Sequence, residues 1–393
     1  MTFEELKAID DAHVMHTYGR NQIAVDYGKG ATVYDLSGKA FIDMTSGIGV
    51  NCLGYGNEKW AKAIADQAMK LGHISNLYYT EPCAKLADEL CKRTGMERVF
   101  FGNSGAEGNE GIIKLARKYS FDKYGEGRST IITLKNSFHG RTITTLKATG
   151  QDHFHEFFFP FTEGFKYAPA NDLDALKAMA DDSVCAVMME LVQGEGGVFT
   201  LDEEFVKAVR ALCDEKDMLL LVDEVQTGVG RTGSLFAFQG FDILPDAVSF
   251  AKGIAGGLPM GGFMASKKVS DVLGPGTHGS TFGGNPVASA AALAVLEQID
   301  DKLLAEVNEK GAYIKNKVME MSSPNVVEVR GKGLMLGIQL DGLVNKDIAA
   351  ALQSKGVLVL TAGNNVVRLL PPLVISYEEI DKALEVLASV ISE

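Results

Sequence analysis

The 393-residue chain exceeds the roughly 100–200 residues of one ordinary domain, and its 46% hydrophobic and 23% charged composition allows a large core. A net charge of −13 argues against nucleic acid or an anionic membrane as partner. The five cysteines lack C-x-x-C spacing, the start MTFEELKAIDDAHV is acidic, and the apolar run Met218–Val222 is far shorter than the ~20 residues of a membrane span, so reduced thiols in a cytoplasmic protein without a signal peptide are expected.

An amphipathic first helix precedes strands expected at Ile23–Asp26 and Thr32–Asp35 around the turn Gly28-Lys29-Gly30. A second turn, Ser37-Gly38-Lys39, leads into Phe41–Met44. Helical periodicity follows over Glu58–Leu71 and Cys83–Arg93. Short β-like runs then recur at Arg98–Phe101, Thr130–Leu134, Val184–Met189, Met218–Asp223 and Ala247–Phe250. Helices such as Ile112–Tyr119 and Glu203–Glu215 lie between them, an alternation that predicts an α/β fold with a mostly parallel sheet. Pro286 opens a further long helix, and Gly333–Leu340 and Val366–Leu370 read as strands near the C-terminus. The expected division is 1–50 as the N-terminal segment of a smaller domain, 51–305 as the large domain and 306–393 as the C-terminal part of the smaller one.

Two of these strands end in residues that carry chemistry. LLLVDEVQ (219–226) places Asp223 at the carboxyl end of its strand, the edge at which open α/β sheets bind ligands. The run Ala247–Phe250 ends at Ala251-Lys252-Gly253, followed by Gly256 and Gly257. Burial would make the lysine a neutral nucleophile, and the glycines would let a cofactor approach the backbone. Taken singly, an Asp-Glu pair is more often a metal ligand or helix cap, and a lysine before glycine a surface residue. Together they suit pyridoxal-5′-phosphate (PLP), whose ring nitrogen must be kept protonated by a carboxylate while a lysine holds its aldehyde carbon. Gly102–Glu107 (GNSGAE), between a strand and a helix, could receive the phosphate on backbone N–H groups, or simply form an S-x-x-E capping box from Ser104 and Glu107.

Several stretches, in this order, complete a pattern: MHTYGR (15–20), SGIGVNCLGY (46–55), SNLYYTEP (75–82), FFGNSGAEGNEGIIKLARKY (100–119), SFHGRT (137–142), LVQGEGGV (191–198), LVDEVQTGVGRTG (221–233), AKGIAGGLPMG (251–261), HGSTFGGNP (278–286) and VVRLLPPL (366–373). With them the chain resembles the class III aminotransferases of PLP fold type I over nearly its whole length. The resemblance implies a large domain with a mainly parallel seven-stranded sheet, a smaller α+β domain built from both chain ends, and a homodimer with shared active sites. It implies that Lys252 holds the cofactor and shuttles a proton, that Asp223 pairs with the ring nitrogen and Gln226 with the ring hydroxyl, and that Phe138 and Val225 sandwich the ring. Ser104, Gly105 and Ala106 would hold the phosphate, with Thr281 reaching it from the other subunit. No metal site is expected.

Substrate recognition is implied in the same way. Arg141 would bind the carboxylate farther from the reacting amine, and Arg368 the α-carboxylate of glutamate, because a guanidinium matches a carboxylate bidentately. Glu195 would pair with Arg368 when the other donor is bound, Glu190 would lie near the cofactor, and Ser280 on the substrate side. His139 is expected to position backbone, and the aromatic run Phe157–Phe161 to lie in the core or a subunit contact. The implied reaction takes N2-acetyl-L-ornithine and 2-oxoglutarate to N-acetyl-L-glutamate 5-semialdehyde and L-glutamate, a step of arginine biosynthesis. Ornithine aminotransferases carry a tyrosine in the segment that aligns with Gly47. Rival expectations are ornithine, succinylornithine, N-succinyl-diaminopimelate or 4-aminobutyrate as donor, an aminomutase of the same fold, and a PLP-binding regulator. The regulator is disfavoured because no basic or helix-turn-helix segment precedes residue 16.

Overall fold

A computed structural model describes residues 1–392. Its central sheet has seven strands: β1 (Arg98–Gly102), β2 (Thr130–Leu134), β3 (Phe165–Ala168), β4 (Val184–Met189), β5 (Leu219–Asp223), β6 (Ala247–Phe250) and β7 (Gly261–Ala265), in the spatial order β1-β7-β6-β5-β4-β2-β3. Only β7 runs against the others. Every residue of β4, β5 and β6 is buried. Strands covered on both faces need no polar alternation, which is why they read as unbroken apolar runs. One covering helix, Glu203–Glu215, shows the matching stripe, burying Phe205, Val206, Val209, Leu212 and Cys213.

The chain ends meet in a smaller α+β unit. Val357–Leu358 adds in parallel to Ala40–Asp43, so N- and C-terminal segments share one four-stranded sheet. Val326–Lys332, Met335–Leu340, Val366–Leu369 and Leu360–Ala362 form a second, antiparallel one. A buried cation ties this unit to the large sheet's loops. Arg231 donates to the carbonyls of Leu334 and Pro371 and to Ser46 Oγ, and makes no ion pair among the described residues.

The structure departs from expectation at several points. The first strand spans Val25–Lys29, two residues later than expected. Phe157, Phe158 and Phe159 are exposed, so they do not belong to the core. The helix expected at Ile112–Tyr119 starts seven residues earlier and spans Gly105–Tyr124; we label it α1. Its early glycines hid that start, and the packing explains them. A Cβ on Gly108 would lie 2.4 Å from the Gly262 carbonyl oxygen, and one on Gly111 2.3 Å from the Phe263 ring. Thus α1 lies directly on β7, and glycine gives up helix propensity to allow that approach. β7 itself was unforeseen. Its first residues are Gly261 and Gly262, where a Cβ would strike the carbonyl oxygens of Ser104 and Phe100 at 2.4 and 2.1 Å.

Gly108→Ala should therefore destabilise the protein by about 1–3 kcal/mol, although alanine is the better helix former. Thermal unfolding of the variant tests this. An unchanged or raised midpoint would show that helix and strand can separate at no cost.

Candidate active site

The carboxyl ends of β1, β2, β4, β5 and β6 lie on one edge of the sheet, and the chain leaving each contributes to one cavity of about 430 Å³. From β1 come Ser104, Gly105 and Ala106; from β2, Phe138, His139 and Arg141; from β4, Glu190; from β5, Asp223, Val225 and Gln226; from β6, Lys252. Ten residues expected at the site from sequence thus share its walls: Ser104, Gly105, Ala106, Phe138, Arg141, Glu190, Asp223, Val225, Gln226 and Lys252.

Parallel register sets the spacing of the two central groups. Asp223 stands opposite Ser249, and Lys252 follows three residues later, past the strand end. Lys252 has φ +46°, a left-handed conformation costing a non-glycine residue on the order of 1–3 kcal/mol. Its side chain is partly open to the cavity, and burial holds its amine below the usual lysine range. Glu195 pushes the other way, and Arg368 pushes further down.

Asp223 is almost fully buried. Its Oδ2 accepts from Asn109 Nδ2 at 2.7 Å and His139 Nδ1 at 2.8 Å, and its Oδ1 from the Val225 N–H at 3.0 Å. His139 therefore does more than position backbone: its N–H does bond Thr149 Oγ1, but its imidazole holds Asp223. Asn109 was not foreseen. The signal for it was a polar residue on the face of α1 that otherwise buries Gly108, Ile112, Ile113, Leu115 and Ala116.

At the start of α1, Ser104 Oγ accepts from the Glu107 N–H and Glu107 reaches back to the Asn103 N–H, so a capping arrangement forms, displaced by one residue from the usual box. The Gly105 and Ala106 N–H groups are among those a helix start cannot satisfy internally, and both residues line the cavity. A Cβ on Gly105 would lie 2.6 Å from Val225 Cγ1.

The remaining acids and bases surround this centre. Glu190 accepts from the Phe138 N–H at 2.9 Å; burial, reinforced by Asp223, drives its carboxyl well above the usual range. Arg368 is buried on the antiparallel sheet of the smaller unit and donates Nη1 to Glu195 at 2.8 Å and to Gln226 Oε1 at 3.2 Å. Burial raises the Glu195 carboxyl, but the Arg368 guanidinium outweighs it and the group sits below its ordinary value. Arg141 lies over the Phe154 ring at 4.3 Å and makes no ion pair among the described residues. Ser280 does not line this cavity but a separate one with Asn76 and Tyr78; its hydroxyl accepts from Asn103 Nδ2 at 3.3 Å. Thr281 is exposed and lines none of this chain's own cavity.

The residues fit a cofactor with an aldehyde, a basic ring nitrogen and a phosphate. A depressed amine, a buried carboxylate and unsatisfied helix N–H groups face one cavity, in the chemistry each part requires.

Glu224, next to Asp223, is buried with its carboxyl bonded to the Phe238 N–H and the Thr227 hydroxyl, and burial raises it to about 7. The folded state thus keeps a proton there that the unfolded state loses above the ordinary glutamate value of 4.5. Relative to Glu224→Gln, the natural protein should lose stability as pH rises from about 4.5 to 7, by up to about 1.4 kcal/mol per unit, and level off above. Paired unfolding curves across that range check it; a flat or rising difference would contradict it.

The model of the aminotransferase class-III family matches residues 14–391. An acetylornithine aminotransferase of Haemophilus ducreyi is 50% identical across the full length of both chains, and one of Methanocaldococcus jannaschii 43% identical over 100% of this chain and 99% of its own. Among solved structures, an ornithine aminotransferase of Toxoplasma gondii superposes with a TM-score of 0.95 at 32% identity, over 100% of this chain and 95% of its own. An N-acetylornithine aminotransferase of Stenotrophomonas maltophilia gives 0.85 at 36% identity over 98% of both. The chain belongs to the class-III aminotransferases.

Proposed function

We propose that this chain is a PLP-dependent aminotransferase that takes N2-acetyl-L-ornithine and 2-oxoglutarate to N-acetyl-L-glutamate 5-semialdehyde and L-glutamate, in the cytoplasm, as a step of arginine biosynthesis. The observation that carries the reading is the placement of the Lys252 amine and the Asp223 carboxylate in one cavity with the open N-terminus of α1. The relatives at 43–50% identity support the donor.

When bound, the cofactor supplies an electron sink for a substrate carbon whose proton is removed. The chain does the rest. Lys252 Nζ, held by burial below the usual lysine range, would bond the cofactor when no substrate is present; displaced there by the incoming substrate amine, it would be free to take the proton from the substrate carbon and return it one bonded centre along. Asp223 would hold the ring nitrogen's proton, Gln226 the ring hydroxyl, and Phe138 and Val225 the two faces of the ring. Ser104, Gly105 and Ala106 would hold the phosphate.

The two arginines divide the substrates. Arg141, without an ion pair among the described residues and braced on Phe154, binds the distal carboxylate. Arg368 binds the α-carboxylate of glutamate. Acetylornithine reacts through its δ-amine and brings no carboxylate there. An unpaired buried guanidinium is costly, and the Glu195–Arg368 bond at 2.8 Å supplies the partner in that half-reaction. Glu190 stands near the cofactor, and Ser280 on the substrate side.

The active unit is a homodimer in which the partner copy supplies Thr281 to the phosphate. The exposed Leu77, Tyr78, Tyr79 and Phe282 support a covered face around Thr281, since exposed apolar groups of this size mark association surfaces.

Ornithine is the competing donor, because the backbone superposes on the Toxoplasma gondii ornithine aminotransferase at least as well as on the Stenotrophomonas maltophilia N-acetylornithine aminotransferase. Gly47 favours the acylated one. Its φ of +63° suits glycine, and a Cβ there would approach Asn51 Nδ2 at 3.1 Å, so the bulk and hydroxyl of a tyrosine are absent beside the cavity residue Val50. Free ornithine would bury an unpartnered ammonium. The expected kcat/KM for acetylornithine exceeds that for ornithine by at least about tenfold, which needs only about 1.4 kcal/mol. Arg141→Ala should raise KM for acetylornithine and glutamate alike. A donor panel of acetylornithine, succinylornithine, ornithine and 4-aminobutyrate with 2-oxoglutarate decides; ornithine equal to or better than acetylornithine would defeat the assignment.

A further inference from the structure

Asp223 is held by more than its own strand. Asn109 of α1 donates Nδ2 to Asp223 Oδ2 and to the His139 carbonyl, both at 2.7 Å, while its Oδ1 accepts from Ser249 Oγ of β6 at 2.6 Å. This fixes the amide's orientation. Turned over, its oxygen would face two acceptors, and its nitrogen would face the hydroxyl. His139 Nδ1 is the second donor to the same Asp223 oxygen, and its Nε2 has no partner among the described residues. Oδ2 thereby accepts from two buried side chains, one on α1 and one in the loop after β2, and Oδ1 accepts only from the Val225 N–H among the described residues.

We propose that Asn109, oriented by Ser249, is a positioning residue that commits Asp223 Oδ2 to the protein and leaves Oδ1 as the oxygen offered to the cofactor's ring nitrogen. The proposal rests on the PLP reading above. It accounts for a polar residue on the buried face of α1 and for a serine in the wholly buried strand β6, each costly without its partner. Because β6 pairs Ser249 with Asp223 in register, the hydroxyl, the amide and the carboxylate follow from sheet geometry and not from a flexible loop. The other ionisable groups facing Asp223 are Glu190 after β4, Glu224 beside it and Lys252 after β6.

The test uses full-length protein loaded with PLP. Asn109→Asp keeps size and the Ser249 contact but sets an oxygen against two acceptors; Ser249→Ala frees the amide to turn. Both should weaken PLP binding measured by equilibrium dialysis, the first by about tenfold or more. Both should displace the pH midpoint of the bound cofactor's visible absorption, the first by about half a unit or more. A purely packing role would lower the melting temperature without moving that midpoint. A folded Asn109→Asp variant with unchanged midpoint or affinity overturns the proposal. If that variant does not fold, Ser249→Ala decides alone, and an unmoved midpoint there overturns it. Natural protein that takes up no PLP overturns the underlying reading and the proposal together, whereas uptake with unaltered variants overturns the proposal only.

Discussion

The site depends on one constraint, the parallel pairing of β5 with β6 that sets Asp223 opposite Ser249. With that register, a carboxylate and, three residues past its neighbour, an amine emerge from the same sheet edge. A parallel sheet points every carboxyl end the same way, so the loops after β1, β2 and β4 must deliver their side chains to the same place. The rest of the large domain serves this edge. The buried apolar strands hold it rigid, and the glycines of α1 and β7 bring a helix N-terminus against it.

Around this frame, charge is balanced in groups and not in isolated pairs. Arg368 stabilises Glu195 as an anion while pushing Lys252 toward its neutral form, and Asp223 helps keep Glu190 protonated. The two carboxyls are thus pushed in opposite directions and the amine toward its uncharged form, the kind of separation that acid–base chemistry uses. Arg231, hydrogen-bonded to carbonyls and a hydroxyl, does a different task. By bonding Ser46 Oγ and the Leu334 and Pro371 carbonyls, it holds the segments flanking Gly47 and Arg368 against the Asp223 loop.

Much of this was legible in the sequence, for physical reasons. β4, β5 and β6 were readable because strands buried on both faces are continuous apolar runs, and Asp223 and Lys252 stood out as the polar residues that end two of them. β7 and the start of α1 were hidden because the glycines that permit their contact also erase strand and helix propensity. Asn109 and His139 converge on one oxygen from positions 114 and 84 residues away from Asp223, a relation that no local pattern carries. Thr281 is exposed and lines no part of this chain's own cavity, so nothing in its surroundings here marks it.

The central claim is that Lys252, and no other lysine, carries the cofactor. Its most direct test is borohydride reduction of the PLP-loaded protein, followed by proteolysis and mass spectrometry. The account predicts a stable pyridoxyl adduct on the peptide containing Lys252 and none in Lys252→Ala. An adduct on another lysine in the natural protein, or an undiminished adduct in the variant, would contradict it.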